Sequence, residues 1–153
     1  HEIDYLNWIF GSIEWVKSDV GKYSNLSVDV EDSAKIIMGF NNNSGQKNTA
    51  SLNMDFFRHD PTRQCTVIGE LGTLKWNGIT GEIDCFLKNK NKWEVLFSNK
   101  PHRDYTYIEE IKHFMECIKS KKAPFVTGLD GLNAILGVEA IYKSSLEERI
   151  VYL

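Results

Sequence analysis

Ala34-Lys35-Ile36-Ile37-Met38-Gly39-Phe40, answered by Thr49-Ala50-Ser51-Leu52-Asn53-Met54-Asp55-Phe56-Phe57, is the stretch whose reading decides the fold. Ala34, Ile36, Met38 and Phe40 alternate with Lys35, Ile37 and Gly39. Ala50, Leu52, Met54 and Phe56 alternate with Ser51, Asn53 and Asp55. Side chains on a strand point to opposite faces with period two, so each run carries one apolar face. This predicts strands over Val30 to Phe40 and Thr49 to Phe57. The polar stretch between them, Asn41 to Asn48, contains Gly45 and several Asn, which tolerate left-handed backbone. The pair therefore reads as an antiparallel hairpin with a loop longer than the tight types.

Downstream the same period recurs. Gln64 to Ile68 and Thr73 to Trp76 read as strands, with Gly69 and Gly72 bracketing a turn. Ile83, Cys85 and Leu87 alternate, as do Trp93, Val95 and Phe97, across a charged tip from Lys88 to Lys92. Then the period changes. Ile108, Ile111, Met115 and Ile118, with Phe114 beside them, form a helical stripe from Tyr105 to Ser120. Asp130 is the expected N-cap of a second helix from Gly131 to Glu148. Leu132, Ile135, Leu136, Val138, Ala140, Ile141 and Tyr142 leave it few polar positions, so it is expected to be largely buried. Ile150 to Leu153 closes the chain as a short strand.

Upstream, Ile13 to Lys17 alternates loosely, and Gly21 to Ser27 is a polar connection. The chain opens with His1-Glu2-Ile3-Asp4-Tyr5-Leu6-Asn7-Trp8-Ile9-Phe10-Gly11. Ile3, Leu6 and Phe10 form a helical stripe, widened by Tyr5 and Ile9, and Gly11 stands where a helix ends. His1 and Asp4, three apart, are neighbours on the opposite surface. An imidazole beside a carboxylate can move a proton on or off a hydroxyl. By spacing alone, the pair reads more readily as a frayed terminal residue, or a tag remnant, next to a surface carboxylate.

The order helix, consecutive strands, two helices, strand indicates an α+β fold. We expect one large, mainly antiparallel, open-faced sheet with helices packed on one face. The other face keeps Ile37, Phe57, Ile68, Phe86 and Leu96 among polar residues. Such a surface is commonly covered by another subunit.

The 153 residues suit one domain, and 42% apolar content argues for a packed core. A net charge of −3 with interspersed signs gives no basic footprint for nucleic acid and no cationic face for a membrane. Cys65, Cys85 and Cys117 are odd in number and lack a C-x-x-C pair. They read as reduced thiols, pointing to a cytoplasmic protein. Asn25-Leu26-Ser27 and Asn42-Asn43-Ser44 match the glycosylation sequon but read as turn residues. No G-x-G-x-x-G, P-loop or metal-ligand spacing of His and Cys occurs, so no cofactor or metal site is visible.

Three stretches together resemble the C-terminal domain of the Gfo/Idh/MocA oxidoreductases, the glucose–fructose oxidoreductase and inositol dehydrogenase superfamily. His1 to Gly11 is similar to the "H-x-I-D-x-x-x-W-x-x-G" segment that opens that domain. Val67-Ile68-Gly69-Glu70-Leu71-Gly72-Thr73-Leu74 is similar to its "I-x-G-x-x-G-T-L" strand–turn–strand. Tyr107-Ile108-Glu109-Glu110-Ile111 with Phe114, then Asp130-Gly131-Leu132, Ala140-Ile141 and Ser144, resembles the run that ends those proteins.

The resemblance implies that residues 1–153 are a single substrate-binding and oligomerisation domain, separated from an N-terminal Rossmann domain that binds NAD or NADP. It implies oxidation or reduction of a carbinol carbon of a sugar, polyol or nucleotide-sugar. His1 would be the catalytic base for the hydroxyl proton, and Asp4 and Tyr107 would bind substrate. The family's lysine in a Glu-Lys-Pro motif, and an acidic residue four before the histidine, have no counterpart here. The isolated chain is therefore expected to be inactive and to bind no cofactor. Self-association through the sheet is implied as well. The competing expectation is a non-catalytic ligand-sensing or oligomerisation module of the same superfamily.

Overall fold

The structure, a computed structural model, describes residues 1–41, 47–100, 102 and 104–153. Its elements are α1 (Glu2–Phe10), β1 (Ser12–Gly21), β2 (Ser33–Asn41), β3 (Lys47–Asp55), β4 (Gln64–Ile68), β5 (Gly72–Asn77), β6 (Glu82–Leu87), β7 (Lys92–Ser98), α2 (Tyr105–Ser120), α3 (Gly128–Leu146) and β8 (Val151–Tyr152). The α+β class and the antiparallel pairing hold. The strands divide between two four-stranded sheets, β3-β2-β1-β8 and β4-β5-β6-β7. The division has a local cause. After β3, the Asp55 carboxylate accepts the Arg58 N–H at 2.8 Å, turning the chain out of the ladder. Pro61 then has no N–H to continue it.

The chain forms two compact units, His1–Arg58 with Phe125–Leu153, and His59–Pro124. In the first, β2 and β3 form the expected antiparallel hairpin, with Ile36 opposite Leu52 and Met38 opposite Ala50. The middle of its loop, residues 42–46, lies outside the described residues, and so does the second sequon. Ile36, Met38 and Phe40 are buried, and Lys35 and Ile37 face out. Ile3 and Leu6 of α1, Ile13 and Val16 of β1, Ala140 and Ile141 of α3, and Val151 of β8 complete one core. On the other face the Trp15 indole lies over Gly39, its partner across the β1–β2 ladder. A Cβ at residue 39 would stand 2.1 Å from Trp15 Nε1, so only glycine fits there.

β2 begins at Ser33, later than the alternation predicts. Asp32 is buried, and its carboxylate turns back to hold the preceding loop. It accepts the Tyr23 N–H at 2.7 Å, the Ser24 N–H at 3.0 Å and the Ser24 hydroxyl at 2.5 Å. These bonds, led by that of the Ser24 hydroxyl, hold the Asp32 pKa below the ordinary carboxylate value, against the opposing effect of burial.

The start of α3 differs from expectation. Its N-cap is Thr127, and Asp130 is the third helical residue of a capping box. The Asp130 N–H donates to Thr127 Oγ1, and the Asp130 carboxylate accepts the Thr127 N–H at 2.7 Å. Nor is α3 largely buried. Gly137, Ala140, Ile141 and Ser144 face the core, whereas Leu132, Ile135 and Leu136 are exposed. One side of this helix meets β1, β8 and α1, and those elements do not encircle it.

α3 also completes the sheet. β8 pairs with β1 only at Trp15 and Val16. Beyond that point Ser144 and Ser145 replace the missing strand. Ser18 N–H donates to Ser144 Oγ at 3.1 Å, and Val20 N–H to Ser145 Oγ at 2.8 Å. The Ser145 hydroxyl donates back to the Val20 carbonyl at 3.2 Å, and the Ser144 hydroxyl to that of Arg149 at 2.6 Å. Buried backbone groups need such partners.

In the second unit β4 to β7 form a meander. Phe86 and Trp93 pack across strands as a tilted pair with ring centroids 5.5 Å apart, and Lys75 lies over Trp93 at 4.3 Å. α2 has its predicted bounds, but its stripe of Ile108, Ile111, Phe114, Met115 and Ile118 is exposed. All three cysteines are free thiols. Among the described residues, no helix is long and apolar enough to cross a membrane.

Candidate functional site

Ile3 and Leu6, buried against β1, β2 and α3, fix the rotation of α1. Tyr5 and Phe10 pack beside them, and Phe10 meets Phe40 with ring centroids 5.6 Å apart. Ile9, expected on this stripe, faces out instead. The helix ends at Gly11, whose φ of 92° favours glycine and whose N–H closes on the Asn7 carbonyl at 2.9 Å. Ser12 then enters β1 directly. The first turn is thus held at its flank and its end by the core.

That anchoring presents His1 and Asp4 on the outer side of the first turn. His1 is the N-cap residue. Its carbonyl accepts the Tyr5 N–H at 3.1 Å, and its side chain makes no capping bond. The imidazole is exposed, and Asp4 is half-buried. Among the described residues no hydrogen bond or ion pair engages the Asp4 carboxylate. A carboxylate in the first turn is favoured by the helix dipole. It can accept hydrogen bonds from two substrate hydroxyls at once.

Beside this pair lies an orphaned group. Asn7 Oδ1 is buried and has no hydrogen-bond partner, an uncommon cost. Trp8, four residues after Asp4 and seven after His1, is 84% exposed on the same side of the helix. Stripe counting passes over it, because an aromatic residue on a polar face fits neither the core nor the charge pattern. The structure thus sets His1 and Asp4 on one side of the first turn, with no hydrogen bond or ion pair between them among the described residues. Tyr107, the third candidate, lies in the first turn of α2 in the other unit, 67% exposed.

The fold and the sequence motifs meet in one match. Residues 1–153 fit the model of the Gfo/Idh/MocA oxidoreductase family, C-terminal alpha/beta domain, over their whole length. The chain belongs to that family. Among curated proteins none matches it. Solved structures of similar fold include an NAD binding oxidoreductase from Klebsiella pneumoniae (TM-score 0.84, 15% identity, covering 99% of this chain and 48% of that one). The aldose-aldose oxidoreductase from Caulobacter crescentus, complexed with glycerol, gives TM-score 0.78 at 22% identity (99% and 44%). The WlbA dehydrogenase from Bordetella pertussis, in complex with NADH and UDP-GlcNAcA, gives TM-score 0.72 at 21% identity (100% and 44%). The chain spans less than half the length of each of these three relatives.

The entries of α2 and α3 do not fit the pyrophosphate of the dinucleotide that the WlbA dehydrogenase holds. A pyrophosphate seat needs free N–H groups at a helix entry after a glycine-rich turn. α2 is entered at Asp104, a carboxylate. At α3 the Asp130 carboxylate occupies the entry and would repel a phosphate.

Proposed function

We propose that this family domain supplies the substrate-binding half of an NAD(P)-dependent dehydrogenase acting on a carbinol group of a sugar, polyol or nucleotide-sugar. The observation that carries the reading is the His1 and Asp4 pair on the outer side of a core-anchored first turn. His1 accepts the hydroxyl proton as the carbinol carbon is oxidised. Asp4 holds neighbouring hydroxyls, and Tyr107 adds a further substrate contact. A nicotinamide group, which a Rossmann half of the parent protein would hold, would supply the hydride acceptor. The free cysteines support a cytoplasmic setting. Exposed Ile37 in one sheet, and Ile68 and Leu96 in the other, support self-association through sheet faces.

The test is made in the parent protein. His1→Ala is expected to lower kcat by roughly 10²–10⁴-fold, the usual contribution of a general base. Asp4→Ala is expected to raise KM with a smaller change in kcat, as for lost ground-state binding. Rates at saturating substrate within about threefold of wild type for His1→Ala would assign the proton transfer to another group.

A further inference from the structure

We propose that Trp8 is the stacking platform for the substrate's sugar ring, and that it makes the site selective for cyclic over open-chain polyols. The inference rests on the reading of His1 and Asp4 given above. Burying an indole is among the larger apolar gains open to a side chain. Yet Trp8 is 84% exposed, while its helix buries the smaller Ile3 and Leu6. Among the described residues it makes no hydrogen bond or ring contact, so the fold itself draws nothing from it.

Its position gives the indole a use. A helix rises about 1.5 Å per residue, which sets Trp8 roughly 6 Å beyond Asp4 and about 10 Å beyond His1 along one face. That spacing leaves room for one pyranose ring between an acceptor of hydroxyls and an aromatic plane. A pyranose has polar edges and C–H faces. Asp4 suits the edge, and the negative face of the indole suits the C–H bonds. Glycerol and other open-chain polyols present the edge chemistry without a fixed C–H face. Phe10 on the opposite side of α1 is seated against Phe40, so the helix stays rigid whatever stands at residue 8. A rigid platform loses little conformational entropy on binding.

Saturation-transfer NMR on the 153-residue chain tests this, with methyl β-D-glucopyranoside as the cyclic probe and glycerol as the open-chain probe. In the wild type, transfer should concentrate on the axial C–H bonds of one ring face over those of the other. Trp8→Ala should weaken binding of the pyranoside by about 3–10-fold, the scale of one aromatic contact, and leave glycerol unchanged. Trp8→Phe should retain part of the effect, and the thermal midpoint should not move in either variant. Asp4→Ala should weaken both probes. Unchanged pyranoside transfer in Trp8→Ala overturns the platform and leaves the Asp4 reading standing. An equal loss of both probes in Trp8→Ala, or a fall in its thermal midpoint, also overturns it, because Trp8 would then act through the helix. Transfer to neither probe from the wild type overturns the platform together with the reading beneath it.

Discussion

Two residues off the candidate site show how single side chains hold the frame. Asp32 is buried and accepts three hydrogen bonds from the loop after β1, and these hold its pKa down. A carboxylate with a depressed folded pKa stabilises the fold above its unfolded value of about 3.9, and that contribution is lost as pH falls through the folded pKa. Asp32→Ala is therefore expected to destabilise the chain at pH 7. Its difference from wild type should shrink on acidification below about pH 4, as read by urea unfolding across pH. Gly39 is the second. Gly39→Ala must displace the Trp15 indole, since the new Cβ would lie 2.1 Å from Nε1. The expected cost is roughly 1–3 kcal/mol, with a red shift in tryptophan emission as Trp15 moves into water. The two cases differ in legibility. His1 and Asp4 could be picked out because helical neighbours are set by local spacing. The roles of Asp32 and Gly39 depend on what lies across a ladder or beneath a loop, and no local period carries that.

Most elements were legible because each has a single period. α2 has its predicted bounds, and so does β4, while the β2–β3 register follows the alternation. The entry to α3 was misread because Thr127 and Asp130 are both good capping residues, three apart, and the apolar run begins after the second. In a capping box both take part, and the helix begins at the first. The apolar content of α3 was read as burial, but a stripe needs something to meet it, and only one side of α3 does. The split into two sheets was not legible either, because the Asp55 to Pro61 turn resembles any other loop in sequence. The seam between α3 and β1 gives the element-scale test. Ser144→Ala would leave the buried Ser18 N–H and the part-buried Arg149 carbonyl without their side-chain partner. The expected loss is about 1–3 kcal/mol in chemical denaturation, and Ser145→Ala, on a less buried pair of bonds, should cost less.

At the scale of the whole molecule, the apolar area left outside is the main unresolved stability cost. Ile68 is 82% exposed, Leu96 66% and Ile111 62%, and soluble monomers rarely leave many such residues together. The proposed self-association through sheet faces removes the share of Ile68 and Leu96 by symmetry, since each contact about a two-fold axis occurs twice. Sedimentation equilibrium at micromolar concentration is expected to give a mass at least twice the chain's 17.6 kDa. A mass at the monomer value would place the cover for these residues elsewhere in the parent protein. The alternation marked Ile37, Ile68 and Leu96 as outward, but Met54, Phe56, Trp93, Val95 and Phe97, on the opposite faces, are exposed as well, as is the stripe of α2.

The serines that face β1 have a consequence of another kind. An open sheet margin invites any extended peptide to add itself as one more strand, the first step towards fibrils and swapped dimers. Ser144 and Ser145 occupy the hydrogen-bonding groups of Ser18 and Val20 on that margin. Because those hydroxyls are carried on a helix, they satisfy the strand without offering a further row of amides to copy. The β1 margin is thus closed to templated growth beyond the short reach of β8.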